Sequence, residues 1–103
     1  DGYQLSLRVR DGLDSDATIS ISSLDGTWNH VAAVFDVSSK MYLNGSKKDQ
    51  GQSIGDFSKD TAQNFQIGSY ASDKYFQGEI DDIRFYDIAL TDSQVQQLYN
   101  SYL

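Results

Sequence analysis

The chain contains no cysteine and no proline in 103 residues, and a single histidine, tryptophan and methionine. Without cysteine there are no disulfides, thiolate metal sites or thiol nucleophiles. Without proline, collagen-like and proline-rich linker readings are excluded. One histidine with no cysteine argues against both a zinc centre and a nucleophile–base pair. Cations are scarce as well: eight Lys and Arg stand against fifteen Asp and Glu, for a net charge of -7. Phosphate recognition needs clustered cations, so neither nucleic acid nor an anionic membrane surface suits this chain. No apolar run approaches the roughly 18 residues of a membrane span, so membrane insertion is not expected. The sequence opens Asp1-Gly2-Tyr3 with no methionine and no signal-peptide pattern, which reads as a processed chain or a piece of a larger one. The length is that of one small domain.

What the chain has is alternation. Tyr3, Leu5, Leu7 and Val9 interleave with Gln4, Ser6, Arg8 and Arg10, the pattern of a half-buried antiparallel strand. Ile19 and Ile21 repeat it between serines. From His30 to Val37 both parities are apolar, which predicts a strand covered on both faces. Met41 and Leu43 follow, and Phe65 and Ile67 form a short run ending at Gly68. Asp11-Gly12, Asp25-Gly26 and Asn44-Gly45 are turn pairs, and Asn44-Gly45 between two strand-like runs predicts a two-residue hairpin. The stretch from Gln50 to Gln63 has the least pattern.

Only the end of the chain departs from this period. Thr91-Asp92-Ser93-Gln94 has the capping-box form, and Val95, Leu98, Tyr99 and Tyr102 then fall on one helical face. About seven strands and one terminal helix predict an all-β antiparallel sandwich.

Gly26-Thr27-Trp28-Asn29-His30-Val31-Ala32-Ala33-Val34-Phe35-Asp36, Met41-Tyr42-Leu43-Asn44-Gly45, Ile67-Gly68-Ser69, the run from Phe76 to Tyr86, and Ala89-Leu90-Thr91 before the helix follow one another along the chain. In that order they resemble the laminin-G-like family of concanavalin A-like jelly-roll domains. The resemblance implies a concanavalin A-like jelly-roll β-sandwich over residues 1–103, with Glu79–Tyr86 as the last strand. Complete domains of this family begin with further strands. The chain therefore resembles the C-terminal part of such a domain, with open sheet edges for a second copy or another chain to cover.

The resemblance also frames the candidate sites. Jelly-roll β-glucanases carry a Glu-x-Asp-x-x-Glu strand, and Glu79-Ile80-Asp81-Asp82-Ile83-Arg84 resembles it without the second glutamate. Retaining hydrolysis needs two carboxyl groups across the scissile bond, and a guanidinium does not donate a proton at neutral pH. The expectation is a non-catalytic domain. Family members often hold a structural Ca²⁺ at the Asp opening the last strand, which makes Asp81 and then Asp82 the candidate metal ligands. The alternative for these two is a pair of solvated acids or partners of Arg84. Tyr42 and Tyr86 lie on the parity opposite Met41, Leu43, Ile83 and Phe85, so they are expected to face solvent on a sugar-binding sheet. With Arg84 they form the candidate ligand-binding set. Trp28 is expected to pack at a core edge and His30 to be structural. Asp11, Asp14 and Asp16 read as a solvated hairpin loop, because Thr18 and Ile19 break the calcium-loop pattern. Asn44-Gly45-Ser46 matches the glycosylation sequon, but the turn alone accounts for it.

Function is then expected to be recognition of a glycan or glycoprotein by one module of a larger extracellular or cell-surface protein, of bacterial type. The alternative is an assembly role completed by strands from another chain.

Overall fold

Two antiparallel hairpin systems form around the turn pairs. The computed structural model describes residues 4–11, 13–20, 26–54, 69–70, 74–75 and 79–103. Strands β1 (Gln4–Asp11) and β2 (Leu13–Ser20) pair antiparallel, with Leu5 opposite Ile19 and Leu7 opposite Ala17. The same register sets Arg8 opposite Asp16 and Arg10 opposite Asp14, so these two acids belong to a strand rather than to the expected loop. Strands β3 (Val31–Phe35), β4 (Ser39–Leu43) and β5 (Ser46–Gln50) form a second sheet in that order. Strands β6 (Ser69–Tyr70) and β7 (Lys74–Tyr75) make a short third pair. Helix α1 (Asp92–Asn100) follows. The run of Phe65 and Ile67 lies outside the described residues.

The Asn44-Gly45 hairpin forms as expected. Both residues have positive φ, 52° and 87°, as a two-residue turn of right-handed twist requires. Gly45 is needed there twice over. A Cβ on it would lie 2.9 Å from Tyr99 Cδ2, so the turn touches α1 at van der Waals distance.

The core lies on both faces of β4. On one face, Met41 packs with Ala17 and Ile19 of β2, joined by Leu7 and Leu43. On the other, Tyr42 packs with Val34 and Val95, joined by Ala32 and Leu90. The order is hairpin, sheet, helix. A buried polar clamp ties the first two layers. The Ser39 amide donates to Ser15 Oγ at 2.8 Å, Ser39 Oγ donates to the Ser15 carbonyl at 2.8 Å, and Ser15 Oγ donates to the Gln52 carbonyl at 2.6 Å. Both serines are fully buried. Every polar atom of the clamp has a partner, which removes the desolvation cost of burying it.

Helix α1 starts where the sequence places it. Thr91 Oγ1 accepts the Gln94 amide at 3.2 Å, and Gln94 Oε1 accepts the Thr91 amide at 2.9 Å. Val95 is the helix residue fully buried against the sheet.

Two expectations do not hold. The doubly covered strand is β4, not β3: Val31 is 38% exposed, and Val34 is the buried residue of β3. The β1–β2 hairpin packs over β4 and β5, which leaves that face of β3 open. The terminal strand over Glu79–Tyr86 is also absent. The described residues 79–90 run without strand pairing, and Ile80, Ile83, Phe85 and Ile88 are all exposed. Asp82 is left-handed, with φ 55°, and Asp81 Oδ1 accepts its amide at 2.8 Å. A left-handed residue in mid-run breaks the extended geometry that a strand needs.

Candidate functional site

Strand β3, at the end of its sheet, the segment 81–90 and the end of α1 line one broad groove of about 1070 Å³. Its geometry starts from the Asn44 turn. Asn44 Oδ1 accepts the His30 amide at 2.9 Å, and Asn44 Nδ2 donates to Asn29 Oδ1 at 3.0 Å. Asn29 Nδ2 in turn donates to the Thr27 carbonyl at 3.0 Å. This chain of amides fixes residues 27–30 and presents Trp28 at the groove, where the residue is 66% exposed. The side chain of the sequon residue is thus used inside the fold.

His30 lies beneath, its ring 5.4 Å from that of Tyr102 and 5.9 Å from that of Tyr99. Its Nδ1 is buried with no hydrogen-bond partner among the described residues. Burial, and secondarily the Arg84 charge, push the imidazole pKa below its ordinary value, against an opposing pull from Asp82.

Asp82 and Arg84 supply the polar wall. Arg84 Nε donates to Asp82 Oδ1 at 3.1 Å and Nη2 to Oδ2 at 3.4 Å, while the Tyr102 hydroxyl donates to Oδ2 at 2.7 Å. The guanidinium carbon sits 5.4 Å from the Tyr102 ring centre, within cation–π range. The Tyr102 hydrogen bond, then the Arg84 contacts, hold the Asp82 carboxyl below the usual carboxylate range. The same bond raises Tyr102.

Four of the five expected site residues meet in this groove: Asp81, Asp82, Arg84 and Tyr86, the last 48% exposed. Tyr42 does not. It is 1% exposed, and its hydroxyl donates to Asp92 Oδ1 at 2.5 Å. A ring covered by α1 has no face to offer a sugar. The parity argument failed because β4 is buried on both sides. Trp28 is the converse case: expected at a core edge, it stands exposed. The Gly26-Thr27 turn before it was the available signal. Tyr102 read only as part of a helical stripe, and its place beside Asp82 had no sequence signal.

Among the described residues no three His, Cys, Asp or Glu side chains come together, and the Asp82 oxygens accept from a guanidinium and a hydroxyl.

The fold and groove define the class. Residues 1–96 match the laminin-G-type family described as the Concanavalin A-like lectin/glucanases superfamily, and the chain belongs to that family. It is an all-β, antiparallel, concanavalin A-like domain with one short helix. Among solved structures, it is similar to an S-layer domain-containing protein from Clostridium thermocellum, with 23% identity and a TM-score of 0.54. That match covers 93% of this chain and 50% of the solved one, so this chain spans half its length. No curated protein matches this chain.

Proposed function

We propose that this chain is a non-catalytic recognition module that holds a glycan in the groove beside β3, within a larger secreted or surface protein. The observation that carries the reading is Trp28. An indole two-thirds exposed beside a groove with a polar wall has the form of a sugar-stacking platform. The family supports it, since its description includes lectins. The S-layer neighbour agrees with a surface location, and no described helix is long and apolar enough to cross a membrane. Arg84 supports the non-catalytic part, since it stands where a retaining glucanase strand carries its second glutamate.

A glycan array, run with calcium and again with EDTA, tests this reading together with the calcium expectation at Asp81. The expected result is a glycan hit that Trp28→Ala abolishes while the far-ultraviolet spectrum is unchanged. Sugar release from a bound β-glucan would overturn the non-catalytic reading. A second reading, assembly with another chain, is favoured by the exposed Ile80, Ile83, Phe85 and Ile88. A stable dimer by light scattering, with no glycan hit, would select it.

A further inference from the structure

We propose that Asp82 and Arg84 together read a vicinal diol, so that the groove selects neutral glycans whose pyranose rings keep two adjacent free hydroxyls. This rests on the glycan reading above and names its ligand class.

The argument is a count of hydrogen-bonding capacity. A carboxylate offers about four lone-pair sites. At Asp82, Arg84 Nε, Arg84 Nη2 and the Tyr102 hydroxyl take three, leaving one acceptor site. A guanidinium has five N–H donors. Two go to Asp82, which leaves three. Both side chains are near half exposed, at 43% and 49%, so the remaining capacity faces the groove or water.

The result is one free acceptor beside free guanidinium donors, with the two groups 3.1 Å apart. Adjacent equatorial hydroxyls of a pyranose are themselves about a hydrogen-bond length apart. One hydroxyl can donate to Asp82 while its neighbour accepts from Arg84. Tyr102 fixes the pair from one side through its hydroxyl and its ring face, so little ordering remains when a ligand arrives. Trp28 lines the same groove and offers an apolar ring for the C–H face of the sugar.

Charge excludes the obvious competitor. A uronate would seek Arg84, but that guanidinium is already neutralised by Asp82, and Asp81 and Asp87 line the groove beside it. The chain as a whole carries -7. An acidic glycan meets net repulsion here.

Two glucose oligomers of equal charge and composition separate the possibilities. In cello-oligosaccharides each inner ring keeps its second and third hydroxyls free and adjacent. In laminari-oligosaccharides the third hydroxyl carries the linkage, so inner rings have no free adjacent pair. Titration calorimetry on the whole chain should show cello-oligosaccharide binding at least about tenfold tighter, the usual cost of leaving a polar pair unmatched. Arg84→Lys keeps the charge and loses the fork, and should bring the ratio close to one. Asp82→Asn should do the same, with a thermal melt confirming that the variant is folded. Equal affinity for the two oligomers in the unaltered chain would overturn the diol proposal and leave the glycan reading standing. Tighter binding of an oligogalacturonate would overturn it in favour of Arg84 as an anion site. Binding to none of the three, and to nothing on the array, would overturn both.

Discussion

Gly26→Ala and Gly45→Ala form a matched pair that measures how firmly α1 is docked. The two glycines have almost the same backbone, φ 86° and 87°. An alanine in that region costs roughly 1–2 kcal/mol wherever it sits. Their surroundings differ. A Cβ on Gly26 would meet no atom of the described residues within 4 Å. A Cβ on Gly45 would lie 2.9 Å from Tyr99 Cδ2, 3.0 Å from Gln96 Nε2 and 3.1 Å from Gln96 Oε1. The Gln96 side chain can swing into solvent. The Tyr99 ring, packed beside His30, has less room. Overpacking of this kind adds about 1–3 kcal/mol. Gly26→Ala should therefore lose about 1–2 kcal/mol and Gly45→Ala about 2–5 kcal/mol. Urea unfolding, followed by far-ultraviolet circular dichroism, gives both values, provided the slopes agree. Losses equal within about 0.5 kcal/mol would refute the reasoning, because the hairpin turn would then not be in contact with α1.

Ser15→Ala should cost about 1–3 kcal/mol in the same assay, since it strands the buried Ser39 amide. The lowered pKa of His30 means that the unfolded chain takes up the proton first. Stability should then decline as pH falls below about 6.5, and His30→Gln should flatten that part of the profile. Burial first, and then the bond to Asp92, push Tyr42 up to about 12. The fold therefore favours the neutral phenol, so this contribution should be lost as pH rises above about 10. Absorbance titration near neutral-to-alkaline pH should show one tyrosine ionising last, and Tyr42→Phe should remove that step.

Much of the scaffold is legible in residue order, because it depends on neighbours in sequence. The alternation of Leu5 and Leu7 set β1, the positive-φ pair Asn44-Gly45 set the hairpin, and Thr91 with Gln94 set the start of α1. Each is a local interaction with its own chemical signature. The site was less legible. Asp81, Asp82, Arg84 and Tyr86 were found as candidates, but as members of a strand that the structure does not form. Tyr42 was misread because alternation reports which residues share a face, and not whether a second layer covers that face.

The sequence by itself determined the β-rich class, the turns, the helix and its cap, and the acidic character. Those follow from side-chain period, backbone preference and charge, all properties of the chain alone. Only the tertiary structure decided that β4 is buried on both faces while β3 is not, that Trp28 stands in the open, and that Tyr102 reaches Asp82 from 20 residues away. These depend on which layer packs over which. Burial and long-range hydrogen bonds are set by the summed packing of hairpin, sheet and helix, a quantity that no short stretch of sequence contains.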